Sequence, residues 1–374
     1  MLFIAAASMM AASASAQISL VKEVEKLAGS NDVAVLQGAL EKIQPALTNP
    51  ETAGNAQTWF TAGKAAFQLY DQLQAKKLIG QVVDSELMGT ALSSGFNFMQ
   101  KALPLDSVKE TNKDGTLKLD KNGQPKIKVK YSGDIVKSLV NHINDVAVMG
   151  NEYLERQQWE KAADSYGNYC NIGSSAFAAS NGVSIADSTL AQVRFFEGYS
   201  RYQVKDFAKA YEALTLSRKL GYTENQVAEF QTSALANMVQ DRIDAKDFTG
   251  ANSLIDNAIA GDAGNAVLYD MKGFAVEAEK DLEAAIPFYK KSVEVNPNYA
   301  QGYFDVARCL WTRGNHEIDN NPEMTTAQLS KILIPIYNEA LPYLNKALEL
   351  NPDNTQAKSV LDDINYKMEQ MGAK

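Results

Sequence analysis

The chain has 374 residues, 45% of them hydrophobic and 22% charged, and 36 Lys and Arg against 45 Asp and Glu leave a net charge of −9. That balance excludes the cation excess on which non-specific binding to nucleic acid or anionic membranes depends. Two cysteines and two histidines exclude a disulfide-stapled fold, zinc fingers and most His-rich metal sites, and few prolines among many alanines favour helix over sheet.

Residues 2–12 are an apolar run without a charge, followed by Ala14-Ser15-Ala16 and then Gln17. An apolar segment ending in A-x-A has the form of a secretory leader. Eleven apolar residues are too few to span about 30 Å of hydrocarbon. No Lys or Arg precedes the run, so the other reading is a buried or interfacial helix. The expectation is a leader over 1–16, cleaved between Ala16 and Gln17, and a mature chain that is periplasmic or secreted. Residue 17 is not Cys, so it offers no lipid anchor. No other stretch reaches 18 apolar residues, and no membrane-embedded segment is expected.

Ala39, Ile43, Ala46 and Pro50 are spaced as on the second helix of a helical hairpin. Trp59 and Gly63 begin a first helix with a partner at 90–104, and 71–90 reads as an added helical insertion. Residues 105–134 break the helical period. Asp114-Gly115 and Asn122-Gly123 are turn signals, and Leu117, Leu119, Ile127, Val129 and Tyr131 alternate with polar residues. The expectation is one two-stranded hairpin bearing Lys118, Lys121, Lys126, Lys128 and Lys130. Such a basic patch suits either docking of an acidic partner or protection of a strand edge. Removing 109–131 is expected to leave the fold intact. An EF-hand frame fails, because Lys118 stands where an acid must ligate.

Hairpin units follow at 143–172 (Gly150, Tyr153, Trp159, Ala162, Tyr166), 190–220 (Gly198, Tyr202, Phe207, Ala210, Leu214) and 230–260 (Phe248, Ala251, Ile255, Ala258). The small polar stretch 173–188 reads as a flexible connection. The clearest unit is 266–300, with Tyr269, Gly273, Ala285, Tyr289 and Pro297. Gly273 and Ala285 suit a close helix crossing, Tyr289 a gap between units, and Pro297 a helix stop. A first helix at 300–314 has its partner at 339–352. Between them, 315–335 reads as a loop and helix insertion, with a cap at Thr325-Thr326. Residues 353–370 read as a terminal capping helix.

The unit at 266–300 resembles the tetratricopeptide repeat, a helix–turn–helix of 34 residues, in a secreted or periplasmic bacterial version. Anchors at Ala162, Ala210, Ala251, Ala285 and Ala340 are 48, 41, 34 and 55 residues apart, so the array is degenerate and carries insertions. The resemblance implies an all-α fold, a right-handed superhelical solenoid of helix–turn–helix repeats over 17–374 with a small β-hairpin insertion.

No nucleophile elbow, phosphate loop, metalloprotease helix or dinucleotide fingerprint is present. His142 and His316 are far apart in sequence, and Cys170 and Cys309 fall in different units. No catalytic residue, cofactor or metal is expected, and the chain is not expected to be an enzyme.

The family's first helices line a concave groove that holds a peptide or protein segment. Carried over position by position, the groove residues are Phe60, Lys64, Phe67, Asn151, Phe195, Tyr199, Tyr202, Gln240, Asp270, Phe274, Phe304, Arg308 and Trp311. The Lys and Asn set that clamps a C-terminal carboxylate in some members is not reproduced. The expected function is an extracytoplasmic scaffold for a protein or peptide partner. The alternative is a carbohydrate-binding protein of a glycan-uptake system.

Overall fold

The computed structural model describes residues 14–279 and 281–373. Most of the expected leader lies outside the described residues. The first helix begins at Ala14 and runs through the expected cleavage junction. The fold is all-α. The helices are α1 (Ala14–Leu27), α2 (Val33–Thr48), α3 (Pro50–Ala53), α4 (Ala56–Leu78) and α5 (Ser85–Leu105). Two short strands follow, β1 (Val108–Lys109) and β2 (Ile127–Lys128). Then come α6 (Ser132–Asn141), α7 (Ile143–Glu155), α8 (Trp159–Gly173), α9 (Ala176–Ser180), α10 (Asp187–Gln203) and α11 (Phe207–Lys219). The remainder are α12 (Asn225–Asp244), α13 (Phe248–Gly261), α14 (Ala266–Ala278), α15 (Leu282–Val295), α16 (Ala300–Asn320), α17 (Thr326–Leu350) and α18 (Thr355–Gln370). No helix among the described residues is long and apolar enough to cross a membrane.

The described residues divide into two compact units. Unit 1 runs to Val204 and includes Leu216–Tyr222; unit 2 comprises Lys205–Thr215 and Thr223–Lys374. Unit 1 packs α1 on α2, α4 on α5 and α7 on α8, and unit 2 packs α12 on α13, α14 on α15 and α16 on α17. Side chains set the boundaries. Asp32, Asn55 and Asp84 accept backbone N–H bonds at the starts of α2, α4 and α5. Asp247, Asn265, Asp281 and Asn354 do the same for α13, α14, α15 and α18. Each satisfies donors that a helix start leaves without partners.

Several expected insertions are lengthened helices. Residues 71–78 continue α4, and 85–90 begin α5. The segment 315–335 extends α16 to Asn320, and α17 then starts behind a capping box of Thr325 and Gln328. The connection at 173–188 contains α9, which buries Ala178.

Glycine and tyrosine set the closeness of each hairpin. A Cβ added at Gly150 would meet Tyr166 at 2.8 Å, one at Gly273 would meet Tyr289 at 2.7 Å, and one at Gly314 would meet Tyr337 at 2.7 Å. All three tyrosines are almost fully buried. Tyr289 therefore covers the glycine of its own hairpin. Gly273→Val is expected to destabilise the protein by about 2–3 kcal/mol through overpacking against that ring. A melting temperature equal to that of the parent would sink this account.

The segment 107–131 differs from the expected single hairpin. Val108 pairs with Lys128 and Lys109 with Ile127, antiparallel. Within that stem, isolated bridges Thr111–Leu117 and Leu119–Pro125 close two smaller loops. Their tips hold Gly115 and Gly123 in the left-handed region, at φ of 84° and 76°, which glycine adopts without strain. Three backbone bonds join the branches in a ring: Glu110 N–H to Lys126 C=O, Lys118 N–H to Glu110 C=O, and Lys126 N–H to Lys118 C=O, at 2.8, 2.9 and 2.8 Å. The segment is thus a three-way β tab. The second Gly turn pairs 119 with 125 rather than extending the first, which is why alternation alone missed the branch.

Asp106 anchors the tab. Its carboxylate, 4% exposed, accepts from the N–H groups of Lys130, Tyr131 and Ser132 and from the Ser132 hydroxyl, at 2.6–3.1 Å. Burial alone would raise the Asp106 pKa, but these donors hold it below the ordinary carboxylate value.

Candidate functional site

The groove expectation is clearest in unit 2, where α14, α16 and α18 succeed one another. Asp270 and Phe274 lie on α14, and Phe304, Arg308 and Trp311 on α16. Arg308 is the centre of the cluster. It donates two bonds of 2.7 Å to the Glu277 carboxylate on α14 and one of 3.1 Å from Nε to Asp305. The Tyr289 hydroxyl donates to Glu277 at 2.7 Å, and Gln301 donates to Asp305 at 2.7 Å. The forked contact fixes the guanidinium plane as well as its position. Burial would raise the Glu277 pKa, but Arg308 and Tyr289 hold it below the usual range.

Asp270 has weaker support. One oxygen accepts from the Tyr299 hydroxyl at 3.2 Å, and the other is shielded without a hydrogen-bond partner among the described residues. Burial, reinforced by the Asp305 carboxylate, pushes its pKa up to about 7. Between about 4, the ordinary carboxylate value, and about 7 the folded state therefore binds more protons than the unfolded state. Stability falls as pH rises across that window and stays lowered above it. Asp270→Asn is expected to stabilise the protein on the order of 2 kcal/mol at pH 8 and hardly at all at pH 4. Equal effects at both pH values in urea titrations would refute the assignment.

Between α16 and α18 lies a cavity of about 430 Å³, lined by Phe304, Arg308, Trp311, Gln356, Ser359, Val360 and Asp363. The Trp311 indole N–H donates to Asp363 at 2.6 Å, and Lys367 pairs with the same carboxylate at 2.7 Å. The Trp311 ring edge is thereby held in one orientation. The expected capping helix α18 is thus one wall of the cavity. Its contribution was legible in the repeat. A step of 34 residues takes Asp270 to Phe304, Phe274 to Arg308 and Glu277 to Trp311, and a step of 55, from Pro297 to Pro352, takes Phe304 to Ser359 and Arg308 to Asp363. Glu277, Ser359 and Asp363 were missed because the pattern was not carried to those positions.

The other expected residues are placed variously. Phe67 is buried between Phe96, edge-on at 5.3 Å, and His142, stacked at 4.1 Å. Phe195 is buried and stacks on Tyr222 at 5.2 Å. Phe304 is 4% exposed, so it offers the cavity little more than a ring edge. For these three, core packing claims most of the ring. Phe60 is half-buried and stacks on Tyr131 at 4.8 Å. Tyr199 meets Trp159 edge-on at 5.7 Å, and Tyr202 is half-buried. Asn151 accepts from the Tyr166 hydroxyl at 2.8 Å, and Gln240 donates to Asp244 at 2.7 Å. Lys64 and Phe274 are exposed, Phe274 at 45%. The cavity brings together Phe304, Arg308 and Trp311 alone of the set.

Residues 266–299 and 337–354 match the family model of the tetratricopeptide repeat. This chain carries tetratricopeptide repeats. A stretch of 122 residues is 25% identical to Protein STIP1 homolog of Dictyostelium discoideum and covers 33% of this chain. The chain spans only 18% of that curated relative's length. Solved structures with detectable likeness include a TPR repeats protein from Bacteroides fragilis, at 15% identity, 60% of this chain, 98% of that one and a TM-score of 0.36. YrrB, a TPR protein with an unusual peptide-binding site, stands at 13%, 61%, 99% and 0.33, and MamA protein at 16%, 59%, 96% and 0.34.

Proposed function

We propose that the chain is an extracytoplasmic scaffold that holds a peptide or protein segment against the first-helix face of unit 2. The observation that carries the reading is the cavity between α16 and α18, where an indole of fixed orientation meets Arg308, Asp363, Gln356 and Ser359. An aromatic wall beside polar groups of both signs suits a side chain and the backbone that bears it. The location outside the cytoplasm rests on the leader-like residues 2–16 of the sequence. Its test is N-terminal sequencing of protein from fractionated cells, which should begin at Gln17.

The binding test places a photo-crosslinking amino acid at Gln356 in cells, with the same probe at exposed Lys331 as control. One protein should be captured at Gln356 and not at Lys331. Ser359→Trp, which fills the cavity, should abolish that capture. Equal capture at both positions would end the reading.

A further inference from the structure

The tab at 107–131 has no part in that site, and its charge opposes that of the rest of the chain. It contains seven lysines and three acids, a net of +4, which leaves −13 for the remaining residues. Unit 2 alone holds 15 Lys and Arg against 25 Asp and Glu, a net of −10. Among the described residues only Lys118 and Lys126 of the tab form salt bridges, both with Glu110.

The tab also exposes aliphatic surface. Val108, Leu117, Leu119, Ile127 and Val129 are 45–60% exposed. Lysines that merely protect a strand edge have no need of five such neighbours. Because Val108 faces Lys128 and Lys109 faces Ile127 across the ladder, each side of the stem presents an aliphatic group beside an ammonium. A bilayer could cover only one side, and an anionic one would repel the acidic remainder. The Asp106 clamp and the ring of backbone bonds hold the tab in one shape, which lowers the ordering cost of docking.

We propose that the tab docks onto the acidic unit 2 of a second copy of this chain. Charge complementarity selects the partner, and the aliphatic side chains supply buried area once contact is made. Tab and acceptor are different surfaces, so each molecule offers one of each. The contact either closes as a reciprocal two-fold pair or repeats head to tail into rings or open chains.

Sedimentation velocity on the full chain tests this. At about 100 µM and about 0.05 M salt, assemblies beyond the monomer are expected, and their association constant should fall at least about tenfold by 0.5 M salt as screening shortens. The triple variant Lys109→Glu, Lys121→Glu, Lys128→Glu avoids the two salt-bridge partners of Glu110 and the Asp106 clamp. It should melt like the parent and lose assembly. Carbodiimide coupling of a mixture of 14N- and 15N-labelled chains should join tab lysines to carboxylates of 223–374 across the two isotopes. Monomers at every salt concentration, same-isotope links only, or assembly unaffected by the triple variant would overturn the proposal. Tab-dependent binding of the monomer to vesicles of phosphatidylcholine with phosphatidylglycerol would overturn it in favour of a membrane surface.

Discussion

Arg308→Ala is expected to cost unit 2 about 3 kcal/mol, because it leaves Glu277 and Asp305 facing each other and Asp270 without their shared cation. The side chains of Glu277 and Asp305 are 19% and 12% exposed, so water compensates little. For a unit of this size the melting temperature should fall roughly 6–12 °C. Arg308→Lys should recover only part of the loss, since an ammonium cannot reproduce the forked contact with Glu277. Pairing Arg308→Ala with Glu277→Gln should cost less than the two changes separately, by about 1–2 kcal/mol. A loss below about 1 kcal/mol for Arg308→Ala in chemical denaturation would show the cluster to be solvated and not structural.

Asp106→Ala should rank next. It strands the N–H groups of Lys130, Tyr131 and Ser132, which donate to no other acceptor among the described residues. A loss of about 2–4 kcal/mol is expected. The readout specific to the clamp is limited proteolysis: cleavage within 107–131 should accelerate while the helical circular dichroism persists. Because the pKa is held low, acid should reproduce the effect only below the ordinary carboxylate range of about 4. Deleting 109–129 while keeping Asp106 and Ser132 should leave the helices folded. A cooperative unfolding at much lower temperature in that deletion would mean the tab itself supports α5 and α6.

The helices were legible because their signals are local. Apolar spacing, Asn and Asp caps and the Asn-Pro corners at 296–297 and 351–352 each act within a few residues. The branching of the tab was not, because Glu110 meets both Lys118 and Lys126, a choice among strand partners that no single alternating run encodes. The site was half legible. Register put Phe304, Arg308 and Trp311 along one cavity, but the depth of Phe67, Phe195 and Phe304 depends on neighbours distant in sequence, such as His142 and Tyr222. The surroundings of Asp270 likewise depend on Tyr299, which donates to it, and on Asp305 of α16, which raises its pKa.

The clamp at Asp106 has a consequence for how this chain tolerates change. It ties residue 106 to residues 130–132, so the intervening segment leaves and re-enters the helical array at a single point. The two ends are joined whatever the length of chain between them. Doubling the length of such a closed excursion adds only about 0.6 kcal/mol of chain entropy. The position is therefore a natural port, at which a segment of different length or sequence can be exchanged without re-registering the helices that follow.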